Sequence, residues 1–169
     1  VPSYPSLKGK PVVFIPKKPT MKFSGRKMEE SMVRTEMRRF IFSFVLLSYL
    51  GQPKEAMEQI NKALRINPFG SDLMFETQGV CNYLLQDYSG ALESFKHMQI
   101  ETRTSLFYAA ACYSLLNDDE LAQDKLELAK TDSGMEIDKF VATQLYQNDE
   151  ISSALAKTLL SIEDMVSVS

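Results

Sequence analysis

One histidine, two cysteines and one short acidic run are the residues of this 169-residue chain that invite a chemical reading. His97 stands beside Lys96 within a helical pattern. A lone imidazole needs an orienting partner before it can act as a base, and the sequence places none in register with it. Its ordinary role is that of a surface or half-buried helix residue. Cys81 and Cys112 are too few for a disulfide framework. They take equivalent places in two similar stretches, where stacked helices stand roughly 9–10 Å apart, too far for a bond. Both read as reduced core thiols, which fits a cytoplasmic setting. Asp118-Asp119-Glu120 has the acidity of a cation site, but it opens a helical stretch. There carboxylates cap free N–H groups and complement the positive helix end. No metal-ligand spacing, glycine-rich phosphate loop or Gly-x-Ser-x-Gly elbow occurs. The expectation is a protein that is not an enzyme, with no catalytic residue, metal or cofactor.

The elements around these residues divide into two textures. Five of the seven prolines fall in the first nineteen positions. Proline fixes φ and removes a donor, so residues 1–25 are expected as an extended, basic arm. Within it Val12-Val13-Phe14-Ile15 forms a short β-type apolar run. Residues 1–39 carry ten Lys/Arg against three Asp/Glu, and the remainder nine against nineteen. The front is therefore at +7 and the body at −10, opposite fields suited to a tail that docks on an acidic partner or on its own body. Val12–Ile15 is expected to pack on the helical body and to be displaceable by a stronger ligand. Nucleic acid is disfavoured as a partner, because no aromatic interleaving accompanies the basic residues. The longest apolar run, Phe40 to Leu50, is 11 residues long. A spanning helix needs roughly 18, so no membrane insertion is expected.

From about residue 26 apolar residues recur at spacings of three and four, with punctuation every 15 to 18 residues. The spacing predicts eight helices, at about 27–50, 53–66, 72–86, 88–99, 103–116, 118–130, 136–147 and 149–164. Short turns make consecutive helices antiparallel neighbours. Residues 26–165 are thus read as one helical domain.

The helices also repeat. Ala56, Ala91 and Ala122 are 35 and 31 residues apart, and Ala154 follows after 32. Each small residue is expected at a close helix crossing, with a bulky residue (Ile60, Phe95, Leu126) four positions on. This pattern resembles the tetratricopeptide repeat. The matching residues are Gly51, Ala56, Ala63 and Pro68, then Gly79, Tyr88, Ala91 and Phe95, then Ala110, Tyr113, Ala122 and Ala129. The resemblance covers residues 37–132 and, loosely, 135–165. It implies an all-α, right-handed superhelix of about four antiparallel helix pairs, with the arm at its front. A narrower similarity, carried by Ile66-Asn67-Pro68-Phe69, Phe140-Val141-Ala142-Thr143-Gln144 and Asn148-Asp149-Glu150, is to the repeat tail of bacterial adenylate cyclases and winged-helix regulators. Size and an apolar groove are shared with class II chaperones of type III secretion.

The resemblance implies a partner-binding concave face lined by the first helix of each pair. Its positions here are Arg38, Ile41, Val45 and Tyr49, then Glu76, Val80, Tyr83 and Leu84, then Phe107, Ala111 and Leu115. The looser last unit adds Lys139, Thr143 and Tyr146. Ile41, Val45 and Val80 stand where some relatives clamp a carboxylate with Lys and Asn, and cannot donate hydrogen bonds. The implied partner is a protein or peptide with hydrophobic anchors. The same residues read equally as core, or as a surface of self-association. Tyr49, Tyr83 and Tyr146 suit a half-wet surface best. The expected function is a protein-interaction scaffold. The alternatives are a regulatory appendage of a cyclase or transcription regulator, and a secretion chaperone.

Overall fold

The computed structural model describes residues 47–167 except 49, 68, 145 and 147. The arm at 1–25 and the groove positions Arg38, Ile41, Val45 and Tyr49 lie outside the described residues. All regular structure among the described residues is helical: α1 (Pro53–Ile66), α2 (Asp72–Leu84), α3 (Tyr88–Lys96), α4 (Arg103–Leu115), α5 (Asp119–Ser133), α6 (Ile137–Thr143) and α7 (Asp149–Ser167). No helix among the described residues is long and apolar enough to cross a membrane.

Helix starts follow local chemistry. Pro53 occupies the first turn of α1, where its missing N–H is not needed. The Asp87 carboxylate accepts from Gly90 N at 2.9 Å to cap α3, and Asp118 accepts from Leu121 N at the start of α5. The acidic run 118–120 therefore caps a helix. Thr102 and Ser105 form a reciprocal capping box at α4.

One turn recurs three times. Gly51, Gln86 and Asn117 all take left-handed φ, at 70°, 63° and 61°. The N–H of each bonds to the carbonyl three residues back, and the next N–H reaches five back (Gln52 to Leu47, Asp87 to Asn82, Asp118 to Tyr113). This is the paired-bond helix stop of the Schellman type. Five residues after each turn stands Ala56, Ala91 or Ala122, each with no exposed surface. The internal period seen in the side chains is therefore present in the backbone as well. Ala154 departs from it: it is exposed, and its neighbour Leu155 is buried. In α7 the buried face runs through Leu155, Leu159 and Ile162, a register offset by one residue from the other units.

Helix α4 packs against α2, α3, α5 and α7. Its residues Ser105–Cys112 are consequently all buried, and the alanines at 109–111 let neighbouring backbones approach. A helix enclosed on every side has no polar stripe. Cys81 and Cys112 are both free and buried. Helix α6 is shorter than the periodicity predicts, because Gln144 is already extended (φ −80°, ψ 107°). Asn148 Oδ1 then accepts from Glu150 N at 2.9 Å at the start of α7.

Candidate functional site

Three of the positions expected on the concave face come together. Glu76 and Val80 from α2 and Tyr146 from the α6–α7 connection line a cleft of about 40 Å³, with Ser48, Leu73, Thr77, Thr104 and Gln144. Small-molecule sites enclose about 300–1,000 Å³, so this cleft is on the scale of one side-chain tip. Leu73 contributes its most exposed apolar surface, at 43%.

Glu76 supplies the cleft's charge. Thr102 Oγ1 donates to Glu76 Oε2, which links the middle of α2 to the N-cap of α4. One turn earlier, Asp72 accepts from Gln99 N at 2.9 Å and from Ile100 N at 3.2 Å. Two carboxylates on one face of α2 thus fasten the α3–α4 loop. Burial pushes the Glu76 carboxyl above its usual range; the Thr102 hydroxyl works against this, and the charge of Asp72 adds to it.

Tyr146 is fixed from behind. Its hydroxyl lies 2.5 Å from that of Tyr108, which stands in turn 3.5 Å from Gln144 Oε1. Tyr108 meets the ring of Tyr83 edge-on at 5.1 Å, and Tyr83 contacts Tyr88 at 5.8 Å. Tyr83 and Tyr146 are each only 8% exposed, so both are core rings at their base and neither is the half-wet side chain the sequence suggests.

The remaining positions separate. Phe107 and Ala111 have no exposed surface, and their side chains serve packing. Phe140 of α6 lies stacked on Phe107 at 4.1 Å with 14° between the planes, closing the face of α4 that an open groove would need. Leu84 packs against the same core. Leu115, at 39% exposed, stands at the far end of α4, while Lys139 and Thr143 are exposed on α6. The Thr143 hydroxyl donates to Phe140 O at 2.6 Å. None of these four lines the cleft.

Ser48, Leu73, Thr77, Thr104 and Gln144 line the cleft without being among the positions the repeat pattern implies. For Leu73 and Thr77 the signal was present, since positions 73, 76, 77 and 80 share one helical face. Thr104 lies three residues before Phe107 and shares its face in the same way. Gln144 falls in the irregular segment that the periodicity assigns to a helix. His97 is exposed, 3.9 Å from Glu93 Oε1 and 5.4 Å from the ring of Phe75. No cluster of three potential metal-ligating side chains occurs among the described residues.

Comparison with protein-family models, curated proteins and solved structures returned no match.

Proposed function

We propose that this helical array is a tetratricopeptide-like interaction module that acts by binding, not by catalysis. Its ligand is a peptide or protein segment that seats an apolar anchor in the cleft between α2, the start of α4 and the α6–α7 connection. The observation that carries this reading is the convergence of Leu73, Val80 and Tyr146 around one carboxylate, Glu76. Apolar walls favour an aliphatic or aromatic anchor. The Thr104 hydroxyl and the Gln144 amide at the cleft are the polar groups that would meet the backbone carrying it, the Thr77 hydroxyl being taken up by Leu73 O at 2.7 Å.

The test is selection of peptides from a random displayed library on the full chain, followed by titration of the strongest into variants. Leu73→Glu places a charge on the cleft wall at an already exposed position and should weaken binding by tenfold or more, a loss of about 1.4 kcal/mol. Leu121→Glu, at an exposed position of α5 that does not line the cleft, should leave it unchanged. A selected peptide indifferent to Leu73→Glu would place the binding surface elsewhere.

A further inference from the structure

A second concavity, of about 570 Å³, lies between α5 and α7. Leu126 and Ile162 lie beneath its floor, 4% and 0% exposed, and Asp124, Glu127 and Glu163 stand around it with Gln123, Lys130 and Thr131. Lys130 is the one cation there among the described residues, and it is already held by Glu136 at 3.2 Å and by Glu163. Asp124 and Glu127 have no ion-pair partner among the described residues. Leu160, 48% exposed, lies one turn from Glu163 on α7.

The body's negative charge falls mostly in the stretch that contains α5 and α7. Residues 118–164 carry twelve Asp/Glu against four Lys, a balance of −8, whereas residues 47–117 carry seven against five. The compensating charge is at the front of the chain. There Val12-Val13-Phe14-Ile15 is bracketed by Lys8 and Lys10 on one side and by Lys17, Lys18 and Lys22 on the other.

We propose that the α5–α7 groove is the docking site of this chain's own segment 8–22, with the lysines that flank Val12–Ile15 beside Asp124 and Glu127. The lysines on both sides of the segment's apolar run match the acidic rim of the groove. About 25 residues separate Lys22 from Leu47, a reach of about 37 Å even at a helical rise of 1.5 Å per residue. Tethering makes the encounter intramolecular, at an effective concentration far above that of a free peptide. This site is separate from the cleft beside Glu76, so either can fail without the other.

The test is zero-length carbodiimide coupling of the full chain at low salt, with the monomer isolated and its linked peptides identified by mass spectrometry. The expected links join Lys8, Lys10, Lys17, Lys18 or Lys22 to Asp124 or Glu127. They should weaken several-fold at about 0.5 M salt, where the screening length falls to roughly 4 Å. A second readout is hydrogen exchange of α5 and α7 in a full chain with those five lysines changed to glutamate, where protection should fall. Links from these lysines mainly to acids outside residues 118–164 would overturn the proposal. So would links found only in a dimer fraction, which would make a second copy the occupant, or unchanged exchange in the lysine variant.

Discussion

The ring of Phe95 lies directly over the backbone of Gly79, so close that a Cβ on Gly79 would stand 2.2 Å from Phe95 Cε1. Helices α2 and α3 therefore cross where one residue has no side chain and the other has a large one. Gly79→Ala forces the ring aside and should destabilise by about 1–3 kcal/mol, despite alanine's better helix propensity. Chemical denaturation checks this. In a Phe95→Leu background the same substitution should cost less, since the two sites are coupled through one contact.

The small residues at 91 and 154 should respond in opposite ways. Ala91 is fully buried and Ala154 is exposed. Ala91→Leu should lower stability by about 1–3 kcal/mol, whereas Ala154→Leu should stay within about 0.5 kcal/mol of the parent. Melting curves of the two variants separate the repeat register of α3 from that of α7.

Much of the fold was legible because its signals are local. The boundaries of α1 follow from Pro53 and the break at Asn67, and the cap at Asp118 from residue type alone. The period of 35 and 31 residues in Ala56, Ala91 and Ala122 is the period of the turns at Gly51, Gln86 and Asn117. The site was less legible because it depends on what covers a helix face. Nothing in the spacing of Phe107 or Ala111 says that Phe140 will lie on Phe107, and an apolar face reads the same whether it awaits a partner or already has a neighbour. The short α6 is the cause: once the chain leaves the helix at Gln144, Tyr146 turns back to meet Tyr108.

Gln86 offers a stabilising change. It holds a left-handed φ of 63° without being glycine, a conformation that costs an ordinary residue roughly 1–2 kcal/mol. Gln86→Gly removes this strain at the price of a more flexible unfolded chain, and a net gain of about 0.5–1 kcal/mol is expected. Equilibrium unfolding in urea checks the sign.

Glu76 gives the protein a pH dependence. Its carboxyl titrates above the ordinary value of 4.5 in the folded state, chiefly through burial. The folded state then binds the proton more tightly than the unfolded one. This group's contribution is full below the unfolded value and is lost as pH rises through the folded one. Glu76→Gln should remove that loss, so the variant's stability should fall less than the parent's as pH rises from about 4.5 toward neutrality. Unfolding free energies across that range test it, and parallel curves for the two proteins would contradict it.

Burial pushes the thiols of Cys81 and Cys112 up to about 12. The thiolate is the reactive form, so neither cysteine should be alkylated in the native protein at neutral pH. Both should react fully in denaturant. Native-state labelling followed by intact mass measurement gives the answer.

The central claim, that the cleft beside Glu76 is the binding face, is tested most directly by hydrogen exchange with and without a selected peptide at saturation. Protection is expected to rise in α2 from Leu73 to Val80, around Thr104, and at Gln144 and Tyr146. It should leave the exposed ends at Leu115 and Leu116 unchanged. A footprint confined to α5 and α7, or one that misses Leu73 to Val80, would contradict the account.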